Sequence, residues 1–301
     1  MRIIQLSDIH IWRYSYNPLD LLNKRAVGTF SLLAGRAGRF RLERLAAVVA
    51  RARDLQPDHF LITGDLTTTA LSAEFRQARD ALDDILVDPA RATVIPGNHD
   101  RYTAGSVRHL KFEEFFGEFA PSPTYPWLRP IDADTAILGL DPTRSHLSAK
   151  GLLPPQQFAR ARDLIAGLPT PPRRLIVACH YPIAAPPSCS VELRAKRMRN
   201  AEEVGSWLAT LGPHIYCCGH VHAAWAFKPA SVPGQLCLNS GAPLLRDATG
   251  QRPPGFLEIE LHGASVSVLH HAWVDNATWE VKPMFQDPAF FPAPVPSTNL
   301  A

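Results

Sequence analysis

No run of about 18 consecutive apolar residues occurs in this 301-residue sequence, which excludes a spanning helix. A cleavable leader is not expected either, because Asp8 interrupts the first apolar run too early. Cysteine is scarce: the five at 179, 189, 217, 218 and 237 are odd in number, and four lie in or beside apolar runs. That distribution fits buried thiols in a reducing compartment better than a disulfide framework, so the expected location is cytoplasmic. An excess of one charge is also missing, with 31 Lys and Arg against 28 Asp and Glu. A net charge of +3 leaves no electrostatic footprint for nucleic acid, and no such partner is expected. No repeat appears at solenoid spacing.

What is present is an ordinary globular composition, 46% apolar and 20% charged, in a chain of one large domain. One segment departs from it. Between residues 11 and 53 the acids are Asp20 and Glu43, against Arg13, Lys24, Arg25, Arg36, Arg39, Arg41, Arg44, Arg51 and Arg53.

Five short apolar runs each stop at residues able to bind a metal or a phosphate. RIIQLSDIH ends in Asp8 and His10, LITGD in Asp65, and VIPGNHD in Asn98, His99 and Asp100. LIVACH ends in His180, and IYCCGHVH in His220 and His222. Between them, helical stripes are expected over 42–55, 75–85, 112–119, 156–168 and 201–211. Asn200 with Glu203 reads as a capping box for the last of these. Strands are expected at 135–140, 175–179, 215–218, 223–228 and 235–239. LEIEL and SVSVL alternate strictly around His262-Gly263, the pattern of an antiparallel hairpin. The order strand–helix–strand implies parallel crossovers, and two stacked sheets covered by helices is the simplest packing. The fold class is α/β, with the chemistry along the carboxyl edge of the strands.

Asp8, His10, Asp65, Asn98, His180, His220 and His222 amount to seven oxygen or imidazole donors. Mixed donors of this kind suit manganese, iron or zinc. Seven are too many for one open catalytic ion, whereas a bridging carboxylate lets them serve two ions about 3.5–4 Å apart. Taken singly, Asp8 and Asp65 also suit helix N-caps, His180 a core histidine, and Asn98-His99-Asp100 an Asx turn. Five such coincidences at five strand ends are hard to sustain together. Gly64, Gly97 and Gly219 each precede a site residue, where a missing Cβ permits close approach. His262, His270 and His271 read as surface residues.

As a set, Asp8-Ile9-His10, Gly64-Asp65, Gly97-Asn98-His99-Asp100, His180 and Gly219-His220-Val221-His222 resemble the calcineurin-like metallophosphoesterases, over residues 1 to about 245. The resemblance implies a four-layer β-sandwich flanked by helices. It implies a first ion, divalent or of a mixed-valence pair, on Asp8, His10 and His222. A second would sit on Asn98, His180 and His220, with Asp65 as the bridge. It also implies that His99 protonates the leaving oxygen, with Asp100 fixing its ring. The look is nearest to bacterial phosphodiesterases of cyclic 3',5'-nucleotides or glycerophosphodiesters, although Tyr181-Pro182-Ile183 stands where cyclic-nucleotide enzymes often carry His-Pro-Pro. The alternatives are hydrolysis of a nucleotide or UDP-linked lipid pyrophosphate and a broad phosphomonoesterase. A nuclease or a non-catalytic scaffold is less well supported, since the basic stripe of the one and the lost ligands of the other are absent.

Residues 1–272 are expected to form the catalytic domain, and 273–301 a proline-rich tail, irregular over 282–301. Residues 11–40 are too long for a simple connection and begin directly after two candidate ligands. Trp12, Tyr14, Tyr16, Leu21, Leu22, Phe30, Leu32 and Leu33 with the bases among them read either as a packed surface hairpin or as a cap. As a cap, Trp12 and Arg13 would contact the substrate together with Asn98 and Tyr181. The expected partner is a small phosphodiester, with a lipid-linked substrate as the variant. The pattern leaves the oligomeric state open, a homodimer included.

Overall fold

The computed structural model describes all residues except 16, 19–23, 147, 248, 276–277 and 294–301. Of the residues named above, Tyr16, Asp20, Leu21 and Leu22 therefore lie outside the described part, as does the end of the proline-rich segment.

Twelve strands form two six-stranded mixed sheets. In the first, β1 (Arg2–Leu6), β2 (His59–Ile62) and β3 (Ala92–Val94) run parallel. The hairpin β10 (Gly255–His262) and β11 (Ser265–Trp273) joins β1 antiparallel, and β12 (Trp279–Asp287) closes the edge. In the second, β5 (Thr135–Leu140), β6 (Arg174–Cys179), β7 (His214–Cys218) and β9 (Gln235–Ser240) are parallel. Antiparallel edges are added by β4 (Trp127–Pro130) and β8 (Ala224–Phe227).

The sheets face each other across an apolar layer that includes Ile3, Leu61, Ile95, Ile176, Ile215, Leu257 and Val268. Helices cover the outer faces. On the first sheet, α2 (Leu45–Asp54), α3 (Ser72–Ala81) and α5 (Lys111–Phe116) contribute Val48, Val49, Phe75, Ala78, Phe112 and Phe116. On the second, α6 (Pro155–Ala166) and α8 (Ala201–Leu208) contribute Phe158, Ala161, Val204 and Leu208. The result is helix–sheet–sheet–helix, as the patterning requires. The shorter helices are α1 (Arg25–Ser31), α4 (Ala104–Arg108) and α7 (Ser190–Lys196). All five cysteines are buried and unpaired.

Three local expectations differ from the structure. Residues 279–287 are not irregular: they form β12, an edge strand that tolerates Pro283 through a register shift opposite Val268 and Leu269. Asn200 does not cap α8 with its side chain. Its amide instead takes the Leu153 N–H at 3.1 Å and donates to the Leu153 carbonyl at 3.0 Å, pinning the entry to α6. His270 and His271 are buried, and His271 Nε2 lies 2.6 Å from Glu258 across the hairpin, where Glu258 also receives Arg2.

Candidate metal centre

The parallel strands β1, β2 and β3 of one sheet and β6 and β7 of the other end at one shared edge, and there the five motif peptides meet. Short hydrogen bonds tie the two sheets together at that point. The Gln5 amide donates to the Cys218 carbonyl at 2.9 Å, and the His220 N–H donates to the Asp8 carboxylate at 2.9 Å. The Gly219 N–H reaches the His180 carbonyl at 2.9 Å.

Two clusters form. Asp8, His10, Asp65 and His222 each bring one ligand atom within 4.8 Å of the others, and Asp65, His180 and His220 do the same. Asp65 belongs to both. Its Oδ2 lies 3.6 Å from His10 Nε2 and 3.3 Å from His180 Nε2, while Asp8 Oδ1 lies 3.3 Å from His222 Nε2. The His10 and His222 Nε2 atoms face one another at 3.0 Å. Asn98, the seventh expected donor, has a buried Oδ1 without a hydrogen-bond partner, and the buried His180 Nε2 faces the Asp65 carboxylate.

The backbone carries strain to achieve this. Asp8, His10, Asp65, His220 and His222 all sit at positive φ, between 53° and 72°. Each such residue costs about 1–3 kcal/mol and persists only where its surroundings over-determine it. Small residues make the close approach feasible. A Cβ on Gly97 would overlap the Asp65 carboxylate and backbone nitrogen, and one on Gly219 would overlap Ser7 and Asp8.

Electrostatics leave all but one of the titratable donors in the state that a cation needs. Burial opposes the charge of Asp65, yet His180, His99 and His10 hold the carboxyl well below its ordinary range. Burial, with neighbouring histidines and cations adding to it and Asp65 opposing, drives His10 and His220 well below the usual imidazole value, so both rings are neutral. His180 is the exception, raised to about 9 because Asp65, and then Asp8, outweigh its burial, so its Nε2 holds a proton that a cation would displace. Its Nδ1 lies 2.7 Å from the Thr63 carbonyl and donates to it, which turns Nε2 toward Asp65. Convergent lone pairs, an ionised shared carboxylate and orphaned donor atoms fit two hard or intermediate cations.

Around this cluster the expected substrate residues separate. His99 lies at its open side, its ring 4.8 Å from that of His10, and its N–H donates to Asp65 Oδ1 at 2.8 Å. Asp100 does not orient that ring. Its carboxylate accepts from the N–H groups of Leu66, Thr67 and Gly97 and so holds the turns that carry Asp65 and Asn98. His99 Nδ1 donates instead to the Thr68 carbonyl at 2.6 Å. Desolvation depresses the ring to about 3, with Asp65 opposing and Arg36 adding to the effect. Tyr181, expected to face the substrate, is 1% exposed and packs behind His220 with ring centroids 4.5 Å apart.

Trp12 packs on the core of the first sheet. The Arg13 side chain donates to Gln77 on α3 at 2.8 Å, and Arg13 lines a cleft with Leu71 and Thr103. Neither side chain hydrogen-bonds to a candidate ligand among the described residues.

It is the second half of the basic segment that walls the site. Arg36 Nη2 lies 3.1 Å from His99 Nε2, and the Phe40 ring is 4.6 Å from His10. Lys24 sits 4.1 Å over Tyr102, whose ring stacks on His99. A Cβ on Gly28 would lie 2.7 Å from Thr69 and 3.1 Å from the Tyr102 hydroxyl, so α1 rests closely on this wall. Sequence patterns did not single out Arg36 for the site, nor Asn239 and Glu74. Asn239 donates to the Gly219 carbonyl and accepts from the Gly241 N–H, bracing the GHVH turn. Glu74 accepts from the N–H groups of Thr69, Leu71 and Arg13, fixing the loop that holds His99.

Compared with known proteins, residues 1–224 match the family model described as calcineurin-like phosphoesterase. No curated protein matches the chain. Among solved structures the fold is similar to a dimetal phosphatase from Danio rerio, with a TM-score of 0.58 and 14% identity, covering 94% of this chain and 98% of that one. It is also similar to a purple acid phosphatase from yellow lupin seeds, with a TM-score of 0.63 and 13% identity, over 95% of this chain and 53% of that one. At these identities the likeness is one of fold. No helix among the described residues is long and apolar enough to cross a membrane.

Proposed function

The chain belongs to the calcineurin-like phosphoesterase family, and from that premise we propose that it hydrolyses a phosphodiester with two metal ions bridged by Asp65. The observation that carries this reading is the membership of Asp65 in both ligand clusters. Asp8, His10 and His222 would hold one ion, and Asn98, His180 and His220 the other. When bound, such ions supply an acidified water and positive charge for the phosphoryl oxygens; manganese, iron and zinc all suit the donor set.

The protein's own side chains supply the rest. Arg36, His99 and the partly exposed His222 border the open side of the cluster, where a phosphate ester can enter. Arg36 donates to a non-bridging oxygen in place of His99 Nε2. That exchange frees Nε2, the only nitrogen of the ring not held by Thr68, to take up a proton from solvent and pass it to the leaving oxygen. The charge of the entering ester offsets the desolvation that keeps the imidazole neutral. One guanidinium at the mouth matches the single negative charge of a diester, which favours cyclic nucleotides or glycerophosphodiesters over monoesters.

Elemental analysis of protein purified without chelator is expected to find about two equivalents of metal per chain. Asp65→Asn is expected to lower the occupancy of both. An active wild type fully occupied by a single ion overturns the bridged-pair reading. A panel of cyclic nucleotides, glycerophosphodiesters, pyrophosphates and monoesters tests the substrate, and preference for a monoester rejects the diester reading.

A further inference from the structure

Val27, Phe30 and Leu33 are 60%, 73% and 67% exposed, at a spacing of three residues along α1 and the turn that follows it. Nine large apolar side chains are exposed on the described surface, and three of them fall within these seven residues. The inner side of the same element is committed. Gly28 and Leu32 are buried, Arg25 donates to the Thr69 and Ala70 carbonyls, and Arg36 points at His99. A left-handed step at Gly35, with φ 105°, lies between exposed Leu33 and inward Arg36.

We propose that this outer stripe docks the enzyme on an anionic lipid surface, so that the diester it cleaves is carried by the bilayer. The choice of substrate rests on the phosphodiesterase reading above; the docking does not. Charge decides the kind of partner. Residues 21–42 contain five cations and no acid; Lys24, Arg25 and Arg36 turn inward and Arg41 pairs with Glu43 at 3.5 Å, which leaves Arg39 exposed beside the stripe. Apolar side chains flanked by cations suit shallow insertion at a headgroup layer of negative charge. A second copy meeting the same face would set cation against cation. Three side chains expose on the order of a few hundred Å², well short of the about 800 Å² per partner of a standard protein interface. Position supports the same occupant. The stripe and the Arg36 guanidinium share one short element, so insertion of the first brings the second, and the mouth beside it, to headgroup level.

Flotation of the full-length, metal-loaded protein with vesicles tests the proposal, using phosphatidylcholine alone or mixed with phosphatidylglycerol. The wild type is expected to float with the mixed vesicles at least tenfold better than with the neutral ones. Phe30→Ser/Leu33→Ser is expected to lose that binding tenfold or more while hydrolysing soluble bis(nitrophenyl) phosphate within twofold of wild type. Equal flotation with both vesicles, or full flotation of the double variant, overturns the proposal. So does a wild-type dimer that becomes monomeric in the double variant without binding vesicles, which makes the stripe a self-association face. Vesicle binding by a wild type that cleaves neither a diester on the panel nor the phosphatidylglycerol of the vesicles leaves the docking standing and rejects the diesterase reading instead.

Discussion

Arg36 Nη2 lies 3.1 Å from His99 Nε2, and this hydrogen bond is the only one among the described residues that joins the basic segment to a motif side chain. It places a guanidinium, a strong donor to phosphoryl oxygens, beside the ring expected to serve the leaving group. No carboxylate forms a salt bridge with Arg36 among the described residues, so an incoming anion need displace only the imidazole lone pair.

Arg36→Ala is therefore expected to lower kcat/KM for a charged diester by about 10- to 100-fold, the range of a lost charge-assisted hydrogen bond. Metal content should stay near wild type, because the side chain holds no candidate ligand. Arg36→Lys should recover only part of the loss, since an ammonium cannot make the two-pronged contact. Steady-state kinetics with elemental analysis on the same samples decides the point. A fall in metal content equal to the fall in activity assigns Arg36 to the structure of the centre.

His99→Ala is expected to cut turnover by about 100-fold or more for an alkoxide leaving group. The loss should shrink for nitrophenolate, which departs without a proton. Parallel kinetics on the two ester types makes the comparison. Equal losses on both assign the His99 ring to holding the site wall through the Thr68 carbonyl and Arg36, and not to proton transfer.

The five strand ends were legible in the sequence because each is local: an apolar run, a tight turn and one or two donors. Their meeting follows once the strands are parallel and the sheets stacked. Arg36 was legible only as one of several bases of a possible cap, because its position depends on how α1 folds back over Thr69 and Tyr102, which no periodicity encodes. The same segment drew attention to Trp12 and Arg13, which stand nearer to His10 in the chain but turn toward the core and α3. Asp100 looked like a partner for its neighbour's ring, yet backbone donors surround it and take its oxygens first. The strand β12 was hidden because most of it is exposed at a sheet edge, where alternation is not enforced.

Gly97→Ala is expected to disrupt the centre more than its single methyl group suggests. The added Cβ would overlap the Asp65 carboxylate and the backbone that carries it, both immobile. Loss of both metals and a fall in thermal midpoint of several degrees are the expected result. Gly38→Ala, where a Cβ meets nothing within 4 Å, is the matched control and should change neither. Metal analysis and a thermal melt of both variants suffice, and a Gly97→Ala protein with full occupancy rejects the close-approach argument.

Acid should weaken the fold through a histidine far from the metals. His59 begins β2, is buried, and has Nε2 2.9 Å from the Thr93 hydroxyl. Burial, with Arg129 and Arg91 adding to it, depresses its ring to about 3. The unfolded chain returns it to about 6.5, so below that pH the unfolded state binds the extra proton. The contribution of neutral His59 is therefore complete above about 6.5 and is lost progressively as pH falls toward about 3. At pH 4.5 the loss from this residue amounts to about 3 kcal/mol. His59→Gln keeps a polar group near Thr93 but cannot take up the proton, so its stability should fall less over the same range. Urea unfolding of the metal-free proteins at about pH 7 and 4.5 isolates the effect, because the ligand histidines titrate in both. The wild type should lose about 2–3 kcal/mol more than the variant between the two pH values. Equal losses mean that His59 is charged in the fold or already desolvated in the unfolded chain.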